Sequence, residues 1–415
     1  MVYVISLTGK PLMPTERHGK VRWLLKSSKA KVVKRIPFTI QLLYETTEHT
    51  QPVTLGVDPG YQNVGLSAVT DRREVFRCEV QLRTDIPRLM EQRSAYRRTR
   101  RSRKTRYRKP RFDNRVRSKH KGWLAPSVEN RIAVHIRLIK LVCSILPVGT
   151  ITIETAQFDT QKLRNPDIEG SEYQNGEQAG FWNVREYILW RDEHTCQHCE
   201  GKSKDRILQV HHLESRQTGG DRPGNLLTLC KTCHEKHHRD DLNLPKPGAG
   251  FKTMAHITIM RWKLYERVKA LGLPVSMTYG YTTKCRRKLN NLGKSHINDA
   301  FVIAGGTDQE RGEVDYRFRQ VRRQNRKLFK GVRSHIKNTA PRVLHGFRVW
   351  DKVRYKGKEY FIKGRRSSGY FSLSDIDGQS VFLDGRKLDS VKYSELELLE
   401  KATALLLRRA VSSPE

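Results

Sequence analysis

The sequence predicts an α/β multidomain protein, and three observations support this fold class. Residues 52–70, "PVTLGVDPGYQNVGLSAVT", read as a strand, a Pro-Gly turn and a second strand. An apolar-periodic helix that begins at Pro126-Ser127 ends before Pro147 and leads into the strand "TITIE". Residues 346–393 alternate apolar and polar side chains between Lys-Gly, Ser-Gly and Asp-Gly turns, which predicts a small antiparallel barrel.

The first 51 residues predict a small α/β module. Short strand-like segments alternate there with one helix-like stretch, "GKVRWLLKSSKA". The module contains the string Pro11-Leu12-Met13-Pro14.

Three acidic residues and a histidine follow apolar elements and could together hold two metal ions. Asp58 ends the first strand of the 52–70 pair, and Glu154 ends "TITIE". His296 and Asp299 lie three residues apart in the helix "SHINDAFVIAGG", so both project from one face. Taken singly, each acid has a structural alternative: a turn, a strand end or a helix N-terminus.

Positive charge is concentrated in residues 93–119, which carry fourteen Lys and Arg against the single acid Asp113. Such a run is ordinarily a solvated or disordered face, but Tyr96, Tyr107 and Phe112 place stacking groups among the arginines. An arginine-rich helix against a nucleic-acid backbone fits this composition better. The predicted contacts are Arg93, Arg97, Arg98, Arg100, Arg101, Arg103, Lys104, Arg106 and Arg108. A second basic run, near 317–337, either contacts nucleic acid in the same way or is a flexible linker.

Two Cys-x-x-Cys pairs predict a structural zinc site. Four thiolates suit tetrahedral Zn²⁺ and leave no open position for chemistry. The remaining cysteines are scattered and do not form a disulfide framework, which favours a reducing, cytoplasmic compartment. The zinc ligands are Cys196, Cys199, Cys230 and Cys233, and the others are Cys78, Cys143 and Cys285.

Between and after these pairs stand His211, His212, Asn225 and His234, in an order that resembles the HNH (ββα-metal) endonuclease motif. The resemblance implies that His211 and His234 hold a hard divalent ion such as Mg²⁺ and that His212 is the general base. Asn225 would orient the His212 ring. The alternative is a purely structural zinc domain. Four further histidines are assigned to the surface: His194, His198, His237 and His238.

Composition narrows the class of partner. The 415 residues contain 80 Lys and Arg against 43 Asp and Glu, which gives a net charge of +37. Such an excess repels itself unless a polyanion neutralises it, and nucleic acid is the natural counterion. The sequence shows no signal-peptide pattern and no run of eighteen apolar residues, so we expect no membrane span.

The order of the acids resembles the RuvC-type RNase H fold, in which carboxylates clamp two divalent ions. A "GVDPG" turn also suits actin-like sugar kinases, although the basic charge and the inserted HNH segment argue against them. Together, "GKPLMP", "GVDPG", "RKPRFDNR", the HNH segment and "KSHINDAFVIA" resemble the IscB family over about residues 1–310. IscB proteins are transposon-encoded, RNA-guided nucleases.

This resemblance implies a split RuvC core with an inserted HNH domain, a bridge helix and a small C-terminal β domain. The implied ranges are 1–51 (PLMP-like module), 52–92, 120–180 and 246–310 (RuvC parts), 93–119 (bridge helix), 181–245 (HNH), 311–341 (basic linker) and 342–415 (C-terminal β domain).

In the roles that the resemblance implies, Asp58, Glu154, His296 and Asp299 form the RuvC site and cut the displaced strand, while His212 with its ion cuts the guide-paired strand. The implied cofactors are Mg²⁺ at both sites, structural Zn²⁺ and a structured guide RNA. The implied assembly is a monomeric ribonucleoprotein that acts on duplex DNA. Its implied location is the prokaryotic cytoplasm, near the nucleoid. Base pairing would read the target sequence.

The C-terminal residues predict a barrel closed by a helix. Ser394 and Glu397 form a capping-box pattern ahead of "LLEKATALLLRRA", so a terminal helix is expected. By position this domain resembles the IscB domain that checks a target-adjacent motif. Its aromatic residues are expected in the barrel core: Trp350, Tyr355, Tyr360 and Phe361.

Two other functions remain open on the sequence alone. A protein-only DNA endonuclease would use the basic helix to grip DNA directly. A non-catalytic RNA-binding transposition accessory protein would carry degenerate sites, and the intact acids and histidines argue against it.

Overall fold

The computed structural model describes residues 1–102, 123–124, 126–155, 184–214, 223–239, 242–245, 252–322 and 341–411. The chain divides into two compact units. One comprises Met1–Pro110, Arg131–Gln157 and Arg261–Glu415, and the other comprises Arg111–Asn130 and Phe158–Met260.

The described residues form eight α-helices and nineteen strands. The helices are α1 His18–Lys26, α2 Ile86–Ser102, α3 Pro126–Cys143, α4 Val184–Arg191, α5 Lys231–His238, α6 Lys252–Lys269, α7 Gly280–Leu289 and α8 His296–Ile303. The strands are β1 Tyr3–Ile5, β2 Ala30–Lys34, β3 Thr39–Leu42, β4 Val53–Pro59, β5 Asn63–Val69, β6 Glu74–Gln81, β7 Val148–Thr155, β8 Leu208–His212, β9 Leu226–Cys230, β10 Val275–Tyr279, β11 Val314–Gln320, β12 Lys352–Tyr355, β13 Lys358–Arg365, β14 Tyr370–Ser374, β15 Phe382–Leu383, β16 Arg386–Lys387, β17 Val391–Lys392, β18 Glu397–Glu400 and β19 Leu405–Val411.

The N-terminal residues form the small α/β module that their pattern predicts. Strands β1, β3 and β2 make a sheet in that order, with β1 parallel and β2 antiparallel to β3. Helix α1 turns Val21 and Leu24 into a small core with Val2, Val4 and Ile40. This apolar stripe on a short helix is why the segment folds against the sheet.

Seven described strands form a mixed sheet at the centre of the first unit, in the order β10-β7-β4-β5-β6-β11-β19. Strands β10, β7 and β4 run parallel, and β4, β5 and β6 form an antiparallel meander. Central strands that are buried on both faces read as continuous apolar runs, and Leu55, Val57, Ile151 and Ile153 are fully buried. The predicted α/β class with a mixed sheet is confirmed.

Two glycines let helix α8 approach the sheet closely. A Cβ atom at Gly56 would overlap the carbonyl oxygen of Ala300, and one at Gly65 would overlap the carbonyl oxygen of His296. Gly56 lies on β4 and Gly65 on β5. The two strands pair so that Asp58 lies opposite Gly65. The glycines therefore bring the first turn of α8 against the strand end that carries Asp58.

The C-terminal domain is a five-stranded antiparallel sheet in the order β17-β14-β13-β12-β18. Tyr360 and Phe361 are buried, and Trp350 and Tyr355 pack partly buried against the apolar clusters, so the expected core role of these aromatics is confirmed.

The expected terminal helix is wrong. Residues Tyr393–Glu395 form a single 3-10 turn, and the chain continues as β18 and β19. Strand β19 pairs antiparallel with β11 at the edge of the seven-stranded sheet, where Leu405, Leu406 and Leu407 are buried. The capping-box pattern expresses only a local preference for helix. Hydrogen bonding of β19 to the edge of β11 stabilises the strand more than the cap stabilises a helix.

The basic segments are only partly described. Residues 314–320, within the range assigned to a linker, form strand β11, which pairs with both β6 and β19. This corrects the extent of the linker, since alternating Tyr316 and Phe318 are buried there. Residues 323–340 lie outside the described part. None of the described helices is both long enough and apolar enough to cross a membrane.

Candidate metal centres

The four cysteines that the sequence assigns to zinc lie together. Their Sγ atoms all fall within 4.8 Å of one another, and Cys196, Cys230 and Cys233 are buried. Cys230 caps helix α5, where its Sγ accepts a hydrogen bond from the Cys233 amide at 3.4 Å. Four soft donors without a carboxylate match structural Zn²⁺.

Neighbouring side chains fix the loop that carries the first cysteine pair. The Asp205 carboxylate accepts hydrogen bonds from the amides of Ile207 and Thr232 at 3.0 and 2.9 Å. Ser203 Oγ lies 3.3 Å from Cys199 Sγ and lowers the pKa of that thiol to about 6. A thiolate at neutral pH is the form that binds metal.

A hairpin and a helix bring three imidazoles into one group. Strands β8 and β9 pair antiparallel, with His211 opposite Leu227 and His212 opposite Leu226, and α5 follows β9 directly. His211 on β8 meets His234 and His238, which lie one turn apart on α5. One ring nitrogen of each lies within 4.8 Å of the other two.

The environment of His211 favours a neutral ligand. The residue is 8% exposed, and its Nε2 is buried without a hydrogen-bond partner among the described residues. Burial, followed by the nearby rings of His237, His234 and His238, lowers its pKa to about 4. Burial also lowers the pKa of His234. A buried nitrogen lone pair facing two further imidazoles fits a divalent cation.

The remaining residues of the resemblance stand beside this group. His212 follows His211 on β8 and is partly buried. Asn225 is fully buried, and its side-chain amide bonds the main chain of Glu214: Oδ1 accepts from the amide at 2.7 Å and Nδ2 donates to the carbonyl at 3.1 Å. Asn225 therefore holds the chain just after His212.

In the other unit, the acidic residues meet at one end of the seven-stranded sheet. Asp58 lies near the end of β4 and Glu154 near the end of the neighbouring parallel strand β7. Both are buried, at 5% and 8% exposure. Strand ends on one edge of a parallel pair place their side chains close together.

Helix α8 adds His296 and Asp299 to the same edge. Its N-cap Ser295 accepts a hydrogen bond from the Asn298 amide at 3.1 Å, which fixes the first turn. His296 Nδ1 lies 2.6 Å from Asp58 Oδ2. The structure thus brings Asp58 and His296 into contact.

Two arginines that sequence reasoning missed pair with these acids. Arg261 Nη2 lies 3.0 Å from Glu154 Oε1 and 3.9 Å from Asp58 Oδ1. Arg287 Nε lies 2.8 Å from Asp299 Oδ1. Among the described residues, the carboxylates do not form a group with all donor atoms within 4.8 Å, unlike the cysteines and the three histidines.

The acids nevertheless influence one another electrostatically. Burial, then repulsion by Asp58 and Asp299, raises the pKa of Glu154 despite Arg261. Burial and Asp58 likewise raise the pKa of Asp299, while the hydrogen bond that His296 donates to the Asp58 carboxylate raises the pKa of His296. Buried carboxylates that repel one another are a common feature of cation sites.

The arginine-rich run is helical as far as it is described. Arg93, Arg97 and Arg98 are exposed on α2. The helix includes the backbone of Arg100 and Arg101, while Arg103, Lys104, Arg106 and Arg108 lie outside the described residues.

Of the residues that sequence reasoning missed, His238 could have been found from the sequence and the two arginines could not. His238 follows His234 by four residues, and this helical spacing could have identified it. Arg261 lies more than a hundred residues from Asp58 and Glu154, so only the folded chain reveals that pairing. Arg287 pairs with Asp299 of the following helix, and the spacing within either helix does not indicate this contact.

The hairpin and the helix form a ββα arrangement whose three imidazoles could hold a metal ion, and the cysteine cluster lies in the same unit. Residues 196–240 match the HNH endonuclease family. Residues 2–176 match a second family, described as RRXRR protein. The two matches support a nuclease of the HNH class that hydrolyses phosphodiester bonds.

Solved structures with a likeness to the chain include Streptococcus thermophilus Cas9 in complexes with the GGAA and AGAA PAMs. Each shares 12% sequence identity at a TM-score of 0.28, and the matches cover 43% and 44% of this chain. They span about a quarter, 26%, of the Cas9 chains. A TM-score this low does not establish a shared fold. No curated protein matches the chain.

Proposed function

We propose that this chain is an RNA-guided, Mg²⁺-dependent DNA endonuclease of the IscB type with two cutting sites. The observation that carries the nuclease function is the group of His211, His234 and His238 inside the segment that matches HNH endonucleases. A plain zinc ribbon does not need a second, histidine-based group beside its cysteines.

At the HNH site, the residues of the chain divide the work between metal binding and proton transfer. His211 and His234, with His238, would hold the ion, and the bound ion would neutralise charge on the scissile phosphate. His212 would accept the proton of the attacking water. Asn225 would keep His212 in place through its two bonds to Glu214. The four cysteines would hold Zn²⁺ and fix the start of α5.

The second proposed site consists of Asp58, Glu154, His296 and Asp299, in a RuvC-like core. Carboxylate oxygens are the donors that Mg²⁺ prefers, and burial raises the pKa of Glu154 and of Asp299, as is common where carboxylates line a cation site. Arg261 and Arg287 would move away from the acids when an ion binds. Asp58 would hold His296 through their hydrogen bond, in position to exchange a proton with the reacting water.

RNA guidance is proposed from the basic character of the chain together with the IscB-like order of its motifs. The exposed arginines of α2 would contact the guide RNA, with the N-terminal module binding its structured part. The ranges given above for the RuvC parts, HNH domain and C-terminal β domain are the domain assignments of this proposal. Base pairing would then specify the target.

Strand-resolved cleavage tests the two sites. With each strand of a target duplex labelled separately, His212→Ala should abolish only the guide-paired nick and Asp58→Ala only the displaced-strand nick. The two-site proposal fails if either substitution stops both cuts while the variant still binds target DNA. Wild-type protein that binds target but cuts neither strand with any divalent ion would instead indicate the accessory-protein function.

The RNA requirement needs a separate experiment. Purified protein should carry a long RNA, and ribonuclease treatment followed by repurification should remove programmed cutting. Adding back the sequenced RNA should restore it. Full sequence-specific cleavage after complete RNA removal would establish a protein-only endonuclease instead.

A further inference from the structure

Two tyrosines, Tyr279 partly buried and Tyr281 exposed, flank the glycine that lies next to Glu154. Tyr279 ends β10 and Tyr281 lies in the first turn of α7, and their rings stack at a centroid distance of 6.1 Å and an interplanar angle of 10°. Between them, Gly280 lies so close to the acid that a Cβ there would be 3.6 Å from Glu154 Oε1. Strand β10 pairs with β7 so that Tyr279 lies opposite Thr155.

Helix α7 presents two different faces. Thr283 and Arg287 lie one turn apart on the inner face: Thr283 is buried and its Oγ1 donates to the Tyr279 carbonyl at 3.3 Å, and Arg287 pairs with Asp299 at 2.8 Å. Tyr281, Lys284 and Lys288 follow at helical spacing on another face and are exposed. One face therefore belongs to the acidic site, and the other combines an aromatic ring with positive charge.

The exposure of Tyr281 is not explained by packing. The residue is 58% exposed, whereas tyrosine is on average partly buried. The helix contains Lys284, Arg286, Arg287 and Lys288 and no acid. An exposed ring beside lysines is the combination with which proteins bind single-stranded nucleic acid, since the ring stacks on a base and the cations contact the backbone.

We propose that the Tyr279–Tyr281 pair is a base-stacking subsite for the single DNA strand that enters the acidic site. This rests on the proposed function of Asp58, Glu154, His296 and Asp299. An unpaired base next to the scissile phosphate stacks on Tyr281, Tyr279 supports that ring from behind, and Lys284 and Lys288 contact neighbouring phosphates. The stack fixes the strand so that one phosphate lies at Glu154.

The first experiment measures stacking without cleavage. The full-length protein with its co-purified RNA, in Ca²⁺, is titrated with a short single-stranded DNA that carries one 2-aminopurine, whose fluorescence is quenched when it stacks. We expect quenching at one position along the strand. Tyr281→Ala should abolish that quenching, and Tyr281→Phe should retain it, because phenylalanine keeps the ring and loses only the hydroxyl.

The second experiment couples the ring to a single base. Displaced-strand nicking is measured on substrates with one abasic site, scanned across the cleavage position. Removing the stacked base should raise the KM of wild-type protein roughly 5- to 20-fold, the value expected for one exposed base–aromatic stack. Tyr281→Ala should show the same loss with intact DNA and no further loss with the abasic strand.

Leu289→Ala is the matched control, because Leu289 lies on the same helix, is 80% exposed and has no ring. It should leave quenching and KM unchanged. The guide-paired nick should be the same in every variant.

Two results would overturn the subsite. One is that the effects of the abasic site and of Tyr281→Ala on KM are additive. The other is that quenching does not depend on the position of 2-aminopurine and survives Tyr281→Ala. If Asp58-dependent nicking is absent in wild-type protein, the proposed acidic site fails, and the quenching experiment still decides whether Tyr281 stacks on a base.

Discussion

His238 contributes the third nitrogen of the imidazole group with His211 and His234. In an Asp58→Ala background, which removes the other proposed site, His238→Ala should weaken Mn²⁺ binding at least about tenfold, because a ligand is lost from a small donor set. Isothermal titration calorimetry measures this change.

His212→Ala provides the comparison, since it is proposed to remove the base and to leave the ion. It should bind Mn²⁺ as the parent does and should not cut the guide-paired strand. Equal metal affinity in the parent and in His238→Ala would remove His238 from the ligand set.

The Asp58–His296 hydrogen bond predicts a pH dependence in metal-free protein. Asp58 raises the pKa of His296 above its usual value of about 6.5. A raised histidine pKa stabilises the folded state fully below the unfolded pKa, and the contribution is lost as pH rises through the folded pKa. In EDTA, the loss of unfolding free energy in Asp58→Asn should therefore be larger at about pH 6 than at about pH 8.5.

Urea denaturation at the two pH values measures this difference. Lys10→Gln breaks the exposed ion pair with Glu48 and is the control, because its small effect should not change over this range. A loss in Asp58→Asn that is equal at both pH values would show that the histidine does not titrate against Asp58.

At the scale of elements, the contact between α8 and the sheet depends on Gly65. Its added Cβ would overlap the His296 carbonyl oxygen, which belongs to backbone and cannot move without shifting the helix. Gly65→Ala should therefore destabilise the first unit by roughly 3 kcal/mol, a large overpacking effect, and should impair the Asp58-dependent nick. Thermal unfolding and strand-resolved cleavage report the two effects.

Gly149→Ala is the matched control, because Gly149 also lies on a strand of this sheet, β7, but has room for a side chain. A Cβ added there would lie 4.0 Å from its nearest neighbour, the Val53 carbonyl oxygen. That variant should unfold within about 1 kcal/mol of wild type. Comparable losses in both variants would mean that general strand propensity, rather than the close helix contact, sets the cost.

The cysteine cluster predicts a metal-dependent fold for the second unit. Cys233→Ala should remove the bound zinc and make the HNH segment sensitive to limited proteolysis, because structural zinc contributes directly to folding. The guide-paired nick should be lost, and the displaced-strand nick should remain. Elemental analysis gives the zinc content.

Cys285→Ala removes an exposed free thiol on α7 and controls for general thiol effects. It should keep its zinc and its protease resistance. Full zinc content in Cys233→Ala would show that this thiol is not a ligand.

Elements with a strong apolar period could be predicted from the sequence. The strand ending near Asp58, the helix from Pro126 and the strand ending near Glu154 all lie where apolar spacing places them. The terminal helix could not be excluded, because the pairing of β19 with β11 is non-local, and a capping pattern reports only local preference.

The same distinction applies to the two candidate centres. The cysteines and histidines lie within fifty residues of one another, so their spacing alone indicated a shared site. Asp58 and His296 are separated by 238 positions, and the packing of α8 on the sheet, which Gly56 and Gly65 permit, brings them together. The pairing of Arg261 with Glu154 had no counterpart in local sequence.

At the scale of the whole molecule, a net charge of +37 is the dominant property. It destabilises the compact protein through self-repulsion, and a bound polyanion removes that cost. The RNA-bound protein should therefore have a higher unfolding temperature at low salt than the RNA-free protein, and added salt should narrow the difference.

Binding of RNA should also depend steeply on salt, and α2 should account for a measurable part of the dependence. Each neutralised phosphate contributes roughly 0.7 to the slope of log K against log salt for single strands. Replacing Arg93, Arg97 and Arg98 with glutamine should reduce the slope by up to about 2, since each exposed arginine accounts for at most one phosphate. Filter binding over a salt series measures the slope.

The control replaces three exposed lysines near the C-terminus with glutamine, which removes the same charge: Lys358, Lys363 and Lys387. This variant should change the slope less. An equal change in both triple variants would assign the RNA affinity to overall charge, and would leave the arginines of α2 without a specific role.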